Sequence, residues 1–301
     1  MRILITGSNG LLGQKIVKLC LERGLNFIAT SKGVNRNPDC PANNYLSLDI
    51  SNQLEINKIF QFYYPTHVIH TAAITNVDYC EDHIEECENV NVIATKLLAD
   101  TSFTYKAHFQ LLSTDFVFDG EKGNYSEEDE VNPLSVYAKS KVNAEEIVIN
   151  GKTDDWSIVR TIIVYGEGHN LSRSNIVLWA KEALKTGNEL TIVDDQYRAP
   201  TWADDLAWAC IEIVKINKKG IFHICGPETM SVIELVYRIA DFYNLPKDKI
   251  KPIKSNTLNQ AAIRPPKTGF NIDFSRKELN YEPLTLEKTL ELLKKQVNLS
   301  T

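Results

Sequence analysis

The chain has 301 residues, 33 Lys+Arg against 39 Asp+Glu, a formal net charge of −6 and 43% hydrophobic residues. That length gives one large domain or two intimate ones with a sizeable core, and the mild acidity argues against a protein driven onto nucleic acid or an anionic membrane by charge. No run of about 18 apolar residues predicts a spanning helix, no signal peptide is expected, and six cysteines without a Cys-x-x-Cys pair read as free thiols in a reducing cytoplasm.

In chain order, residues 2–6 form an apolar run ending at Gly7. Residues 11–23 carry Leu12, Ile16, Leu19 and Cys20 at helical spacing, and 25–30 form a second run. A third run covers 45–48, before a helix opening near Ser51. A fourth covers 67–70, a long helix about 85–105, a fifth run 107–113, a helix 133–148 and a sixth run 156–160. Strand and helix alternating in steps of about 25 residues predict an α/β fold, a doubly wound parallel sheet with helices on both faces. The rhythm then changes: helices at 172–186 and 203–216, strands at 190–193 and 220–225, a helix at 231–244 with Ser231 as cap, an irregular stretch at 251–266, and a closing helix at 286–297. No Gly/Ser linker divides the chain, so the second lobe should pack tightly on the first.

The first strand runs into Gly7, Ser8, Asn9, Gly10, Leu11, Leu12 and Gly13. Three glycines at Gly-x-x-Gly-x-x-Gly spacing between strand and helix allow a sharp turn, a close approach to a pyrophosphate, and tight packing of helix on sheet. The helix start offers amides and a positive dipole end to phosphate. Gly7, Asn9, Gly10, Leu11, Leu12 and Gly13 are therefore candidate dinucleotide-binding residues. After the second strand come Ser31, Lys32 and Arg36, with no carboxylate. Two cations and a hydroxyl favour NADP(H) over NAD(H), whose ribose hydroxyl calls for an acid here. Asp49, next to Ile50, is placed either to accept from the adenine amino group or to open a helix.

Tyr-x-x-x-Lys occurs twice. In Tyr243…Lys247 the intervening Pro246 prevents a helical turn. Tyr137…Lys141 lies in a sequence able to stay helical, so both side chains share a face. There the phenol is a proton donor, with the lysine as a cation that lowers its pKa and holds ribose hydroxyls. Ser113 and Thr114 end the fifth strand over the expected crevice, where a hydroxyl can bind the same carbonyl oxygen; Thr114 is preferred.

Together these residues resemble an extended short-chain dehydrogenase/reductase, and more narrowly the dTDP-4-dehydrorhamnose reductase family. The resemblance rests on the glycine turn, on 70–78 with Cys80 and Glu81, on 113–120, on Tyr125, Glu127 and Pro133, and on 137–141. It continues through Arg160, Thr161, 164–166, 193–196, Pro200, Thr201, Arg264 and Pro265, covering essentially the whole chain in family order. It implies Thr114, Tyr137 and Lys141 as the catalytic triad. It also implies Ala72, Ala73 and Thr75 beside the cofactor, and Asn76, Val77, Asp115, Phe116, Ile163 and Arg264 beside the substrate, with Arg264 on the diphosphate. Ile163 stands where the family often has Trp, Ala138 where it usually has Gly, and Phe116 where it has Tyr.

The resemblance implies an NADP-binding Rossmann domain at 1–166, completed by about 201–225, and a smaller mixed α/β substrate lobe at 167–200 and 226–301. It implies NADPH-dependent reduction of the C4 keto group of a nucleotide-linked 4-keto-6-deoxy sugar, as in dTDP-rhamnose biosynthesis. The expected partner is the nucleotide sugar, with no metal, no nucleic acid and no membrane, and with a homodimer left open. Two alternatives stand beside it. One is a nucleotide-sugar epimerase or dehydratase, which would call for tightly held NAD. The other is a non-catalytic regulatory subunit, since residues 220–246 also resemble that of methionine adenosyltransferase.

Overall fold

The computed structural model describes residues 1–300, with side chains to 297; residue 301, the end of the expected second lobe, lies outside the described residues. The strands are β1 (Arg2–Thr6), β2 (Asn26–Ser31), β3 (Tyr45–Ser47), β4 (His67–His70), β5 (His108–Thr114), β6 (Trp156–Thr161), β7 (Val164–Tyr165), β8 (Leu190–Val193), β9 (Tyr197–Arg198), β10 (Thr201–Trp202), β11 (Gly220–Ile224), β12 (Met230–Ser231) and β13 (Ile250–Ile253). The helices are α1 (Leu11–Glu22), α2 (Gln53–Tyr63), α3 (Val77–Asp82), α4 (Ile84–Glu88), α5 (Ala94–Thr104), α6 (Val136–Ile149), α7 (Ile176–Lys185), α8 (Ala203–Lys215), α9 (Val232–Tyr243), α10 (Asp273–Leu279) and α11 (Leu286–Ser300). None is long and apolar enough to cross a membrane.

Seven strands form one parallel sheet in the order β3-β2-β1-β4-β5-β6-β11. Side chains alternate between its faces. Ile3, Ile5, Ile69 and Val159 pack on one face with α1 and α8, while Leu4, Val68 and Ile158 pack on the other with α2, α5 and α6. The strand order reverses between β1 and β4, and a doubly wound sheet opens its ligand crevice at the carboxyl ends of such a pair. A separate apolar cluster joins α7, β8, α9, β13 and α11 through Val177, Ile192, Val236, Ile250 and Leu290. The chain then returns, and Phe270, Ile272, Leu279 and Tyr281 pack into the core of the main sheet.

Three local differences from the sequence reading have physical causes. The stretch expected to be irregular contains β13, paired in parallel with β8 from Ile250 to Ile253; its Lys251 and Pro252 hide the alternation, and Pro suits an edge strand. The helix expected over 85–105 contains a π turn at Asn89–Ile93 between α4 and α5. There the Asn91 amide leaves the helix to bond Ile74 on both its N–H (2.8 Å) and its carbonyl (3.0 Å). The helix expected from 172 begins at Ile176, where Asn175 Oδ1 accepts from the Leu178 amide at 3.2 Å.

Candidate active site

The glycine turn closes as its spacing requires. Gly7 has φ +70°, and a Cβ there would lie 2.7 Å from the Ala72 amide nitrogen; a Cβ on Gly13 would lie 2.4 Å from the Gly7 carbonyl oxygen. These contacts seat α1 against the sheet. With glycine as N-cap, α1 turns the first-turn amides of Leu11, Leu12 and Gly13 toward the crevice without a capping side chain, a setting that fits a pyrophosphate. Asn9 organises the neighbouring loop: its amide donates to Ser31 Oγ (2.9 Å), its Nδ2 to the Val34 carbonyl (2.9 Å), and its Oδ1 accepts from the Arg36 amide (2.8 Å). Lys32 is 2.7 Å from Asp49, and this ion pair with the Ser51 hydroxyl holds the Asp49 carboxyl down to about 2. Asp49 therefore meets Lys32 directly, and Ile50 packs at the edge of the core beneath α2 and α5. Ala72, Ala73, Thr75 and Asn76 line the loop after β4. Thr75 Oγ1 accepts from Arg173 at 2.8 Å, and Asn76 caps α3 by accepting from the Tyr79 amide at 3.3 Å.

Thr114 ends β5, and Tyr137 and Lys141 lie one helical turn apart on α6; all three are buried. Ser135 starts α6 by accepting from the Ala138 amide at 3.2 Å. The Tyr137 ring packs with Val77, Cys80, Cys87 and Phe116. Burial pushes its phenol above the ordinary range, the hydrogen-bonded Thr114 hydroxyl opposes the rise, and Asp115 adds to it. Burial thus outweighs the lowering expected from Lys141. Lys141 Nζ donates to the Leu112 carbonyl at 2.7 Å, and burial pushes the ammonium down to about 8 against the support of Glu145.

That shift carries a stability consequence. Between pH 8 and the ordinary lysine range the unfolded chain keeps a proton that the folded chain has released, so this group's contribution to folding stability rises with pH there. The gain amounts to about 3 kcal/mol at pK-unit exchange rates. Buried thiols such as Cys20 and Cys225, pushed up by burial, act in the opposite direction in both proteins. The test is therefore the difference: urea unfolding should show wild type gaining on Lys141→Met as the pH rises through this range, and a constant difference would contradict the lowered lysine.

Ser113 does not face the crevice. Its hydroxyl donates to Glu145, which also accepts from Arg160 Nε (3.0 Å) and Nη2 (2.6 Å). Ser113 therefore belongs to a buried ionic network, while the Thr114 hydroxyl meets the Tyr137 phenol. Asp115 turns from the crevice toward Arg198 and Thr268. Phe116 meets Tyr137 edge-on at 6.3 Å and lies under the Arg198 guanidinium. Ile163 follows β6 with φ +34°, a left-handed backbone that is strained for a β-branched residue. Its carbonyl accepts from the Thr201 amide at 3.1 Å. Arg264 is engaged by Asp78, with Nη2 2.5 Å from Oδ2 and Nη1 3.1 Å from Oδ1. Asp194 and Asp195 fasten Lys254 and Ser255. The sequence reading missed Asn91, Glu145, Arg198 and Thr268; the signal for the first two was a polar residue on the apolar side of a helix.

The RmlD substrate binding domain model matches residues 1–298. The methionine adenosyltransferase 2 subunit beta of Bos taurus is 30% identical over 92% of this chain and 81% of its own length. The dTDP-4-dehydrorhamnose reductase of Aggregatibacter actinomycetemcomitans is 31% identical over 80% of this chain and 78% of its own. The crystal structure of dTDP-4-dehydrorhamnose reductase from Bacillus anthracis in complex with NADP superposes with a TM-score of 0.86 at 26% identity, over 98% of this chain and 99% of that one. Built on the extended short-chain dehydrogenase/reductase fold, the chain belongs to the RmlD substrate-binding-domain family.

Proposed function

We propose that this protein is an NADPH-dependent reductase of the C4 keto group of a nucleotide-linked 4-keto-6-deoxy sugar, with dTDP-4-dehydrorhamnose as the first substrate to test. The observation that supports it most is the buried group of Thr114, Tyr137 and Lys141 at the end of β5, on the same carboxyl edge of the parallel sheet as the glycine turn after β1. When bound, the dinucleotide supplies the hydride. The amides of Leu11, Leu12 and Gly13 hold its pyrophosphate at the start of α1. Lys141, aimed by the Leu112 carbonyl, holds ribose hydroxyls. Tyr137 gives its phenolic proton to the keto oxygen, and Thr114 fixes the position of that phenol. Burial strengthens each of these contacts by excluding water. Lys32 and Arg36 favour the 2′-phosphate of NADP. The cofactor lobe is residues 1–166 with about 201–225, and the rest of the chain closes over the sugar.

A second reading, a nucleotide-binding regulatory subunit, draws support from the similarity to methionine adenosyltransferase 2 subunit beta. The loss of NADPH absorbance with freshly generated dTDP-4-keto-6-deoxy-glucose or its 3,5-epimerised product separates the two. Turnover that prefers NADPH to NADH upholds the reductase. Binding of NADPH without oxidation, together with copurification of a larger partner, upholds the subunit.

A further inference from the structure

Asp115 follows Thr114 in the chain, yet its carboxylate is committed on both sides. Oδ1 accepts from the Thr114 hydroxyl at 3.1 Å, Oδ2 accepts from the Thr268 hydroxyl, and Arg198 Nε lies 3.7 Å from Oδ2. Asp115, Arg198 and Thr268 are all at least 97% buried. Arg198 is itself held by the carbonyls of Tyr197 (2.7 Å), Pro265 (2.6 Å) and Pro266 (3.2 Å). The two returning segments are laced to each other, the Tyr197 amide donating to the Pro266 carbonyl (2.7 Å) and the Thr268 amide to the Tyr197 carbonyl (3.2 Å). One carboxylate thus touches the catalytic threonine on the main sheet and both segments that return from the second lobe.

A threonine hydroxyl has one proton to give and two lone pairs to offer. Here the proton goes to Asp115 at 3.1 Å and a lone pair accepts from the Phe116 amide at 3.3 Å, with the Tyr137 phenol as the hydroxyl's remaining neighbour. While Asp115 holds that proton, Thr114 has none to give to the keto oxygen, and its rotor sets how the hydroxyl meets the phenol. We propose that Asp115 is a positioning residue for the reduction: anchored by Thr268 and Arg198, it fixes the rotor of Thr114 and so makes the seating of the second lobe a condition for aligning Tyr137. This rests on the reductase reading. It also gives a reason for an acid beside Thr114 that does not face the crevice.

Three variants test it: Thr268→Val, Thr268→Ser and Asp115→Asn, each assayed with NADPH and the keto sugar. Thr268→Val removes one hydroxyl at constant shape and should lower kcat by about tenfold, the scale of one lost hydrogen bond in a network. The KM for NADPH should stay at the wild-type value, and Thr268→Ser should restore kcat. Asp115→Asn can donate to Thr114 and reverse the bond, so its kcat should fall further. Wild-type kcat in Thr268→Val, or failure of Thr268→Ser to recover, overturns the proposal. A second readout needs no turnover: the ¹³C carboxyl resonance of Asp115, assigned by its loss in Asp115→Asn. It should move in both Thr268→Val and Thr114→Val; a resonance unmoved in both overturns the proposal. If wild type reduces no keto sugar, the reductase reading fails on that result alone, and the resonance still decides whether Asp115 links the lobe to Thr114.

Discussion

Replacing Tyr137 by phenylalanine is expected to lower turnover by about 10²–10⁴-fold, the usual worth of a positioned general acid, while cofactor affinity and fold survive. The ring has Phe116 at 6.3 Å and shares a buried cluster with Val77, Cys80 and Cys87. Phenylalanine fills that space, so only the hydroxyl that faces Thr114 is lost. Lys141 keeps its bond to the Leu112 carbonyl, and the amides at the start of α1 are untouched. Titration of NADPH by fluorescence should therefore give similar dissociation constants for both proteins. Turnover retained at the wild-type level would mean that the proton comes from another group.

The second large effect is on stability. Glu145 and Arg160 are each 3% exposed, paired through 2.6 and 3.0 Å contacts, with Ser113 bonded to the same carboxylate and His223 3.4 Å from Arg160. Removing one partner of such a pair leaves a charge buried without compensation. Glu145→Ala should therefore cost about 3–5 kcal/mol by urea denaturation. The double variant Glu145→Leu with Arg160→Met removes both charges and should recover most of the loss. Glu145 is also the group that supports the Lys141 ammonium, so in Glu145→Ala the lysine should titrate still lower. A cost under 1 kcal/mol for Glu145→Ala would show that water reaches Arg160.

The fold was legible because its signals are local. Ile3 and Ile5 alternate with Leu4 to two different cores, and Gly7 sits where only glycine avoids the Ala72 backbone. The Tyr137…Lys141 spacing was separable from Tyr243…Lys247 by a single proline. What stayed hidden is what depends on long-range closure. The bonds of Asp115 to Thr268 and of Arg264 to Asp78 span more than 150 residues, and no periodicity in either segment announces them. Nothing in the sequence around Arg264 shows that Asp78 reaches it. Helix α10 is seven residues long and β13 four, too short for a pattern to rise above its neighbours. The strain at Ile163 is a property of the backbone, held where the Thr201 amide meets its carbonyl, and a side-chain sequence carries no sign of it.

The hydride itself separates a reductase from a protein that only binds the dinucleotide. NADPH deuterated at the nicotinamide C4 would be incubated with the protein and the dTDP-linked 4-keto-6-deoxy sugar, and the sugar examined by NMR and mass spectrometry. The expected product is a reduced sugar carrying deuterium at C4, formed in step with NADPH loss and absent with Tyr137→Phe. Recovery of the keto sugar unreduced, with NADPH bound and intact, would contradict the reductase reading.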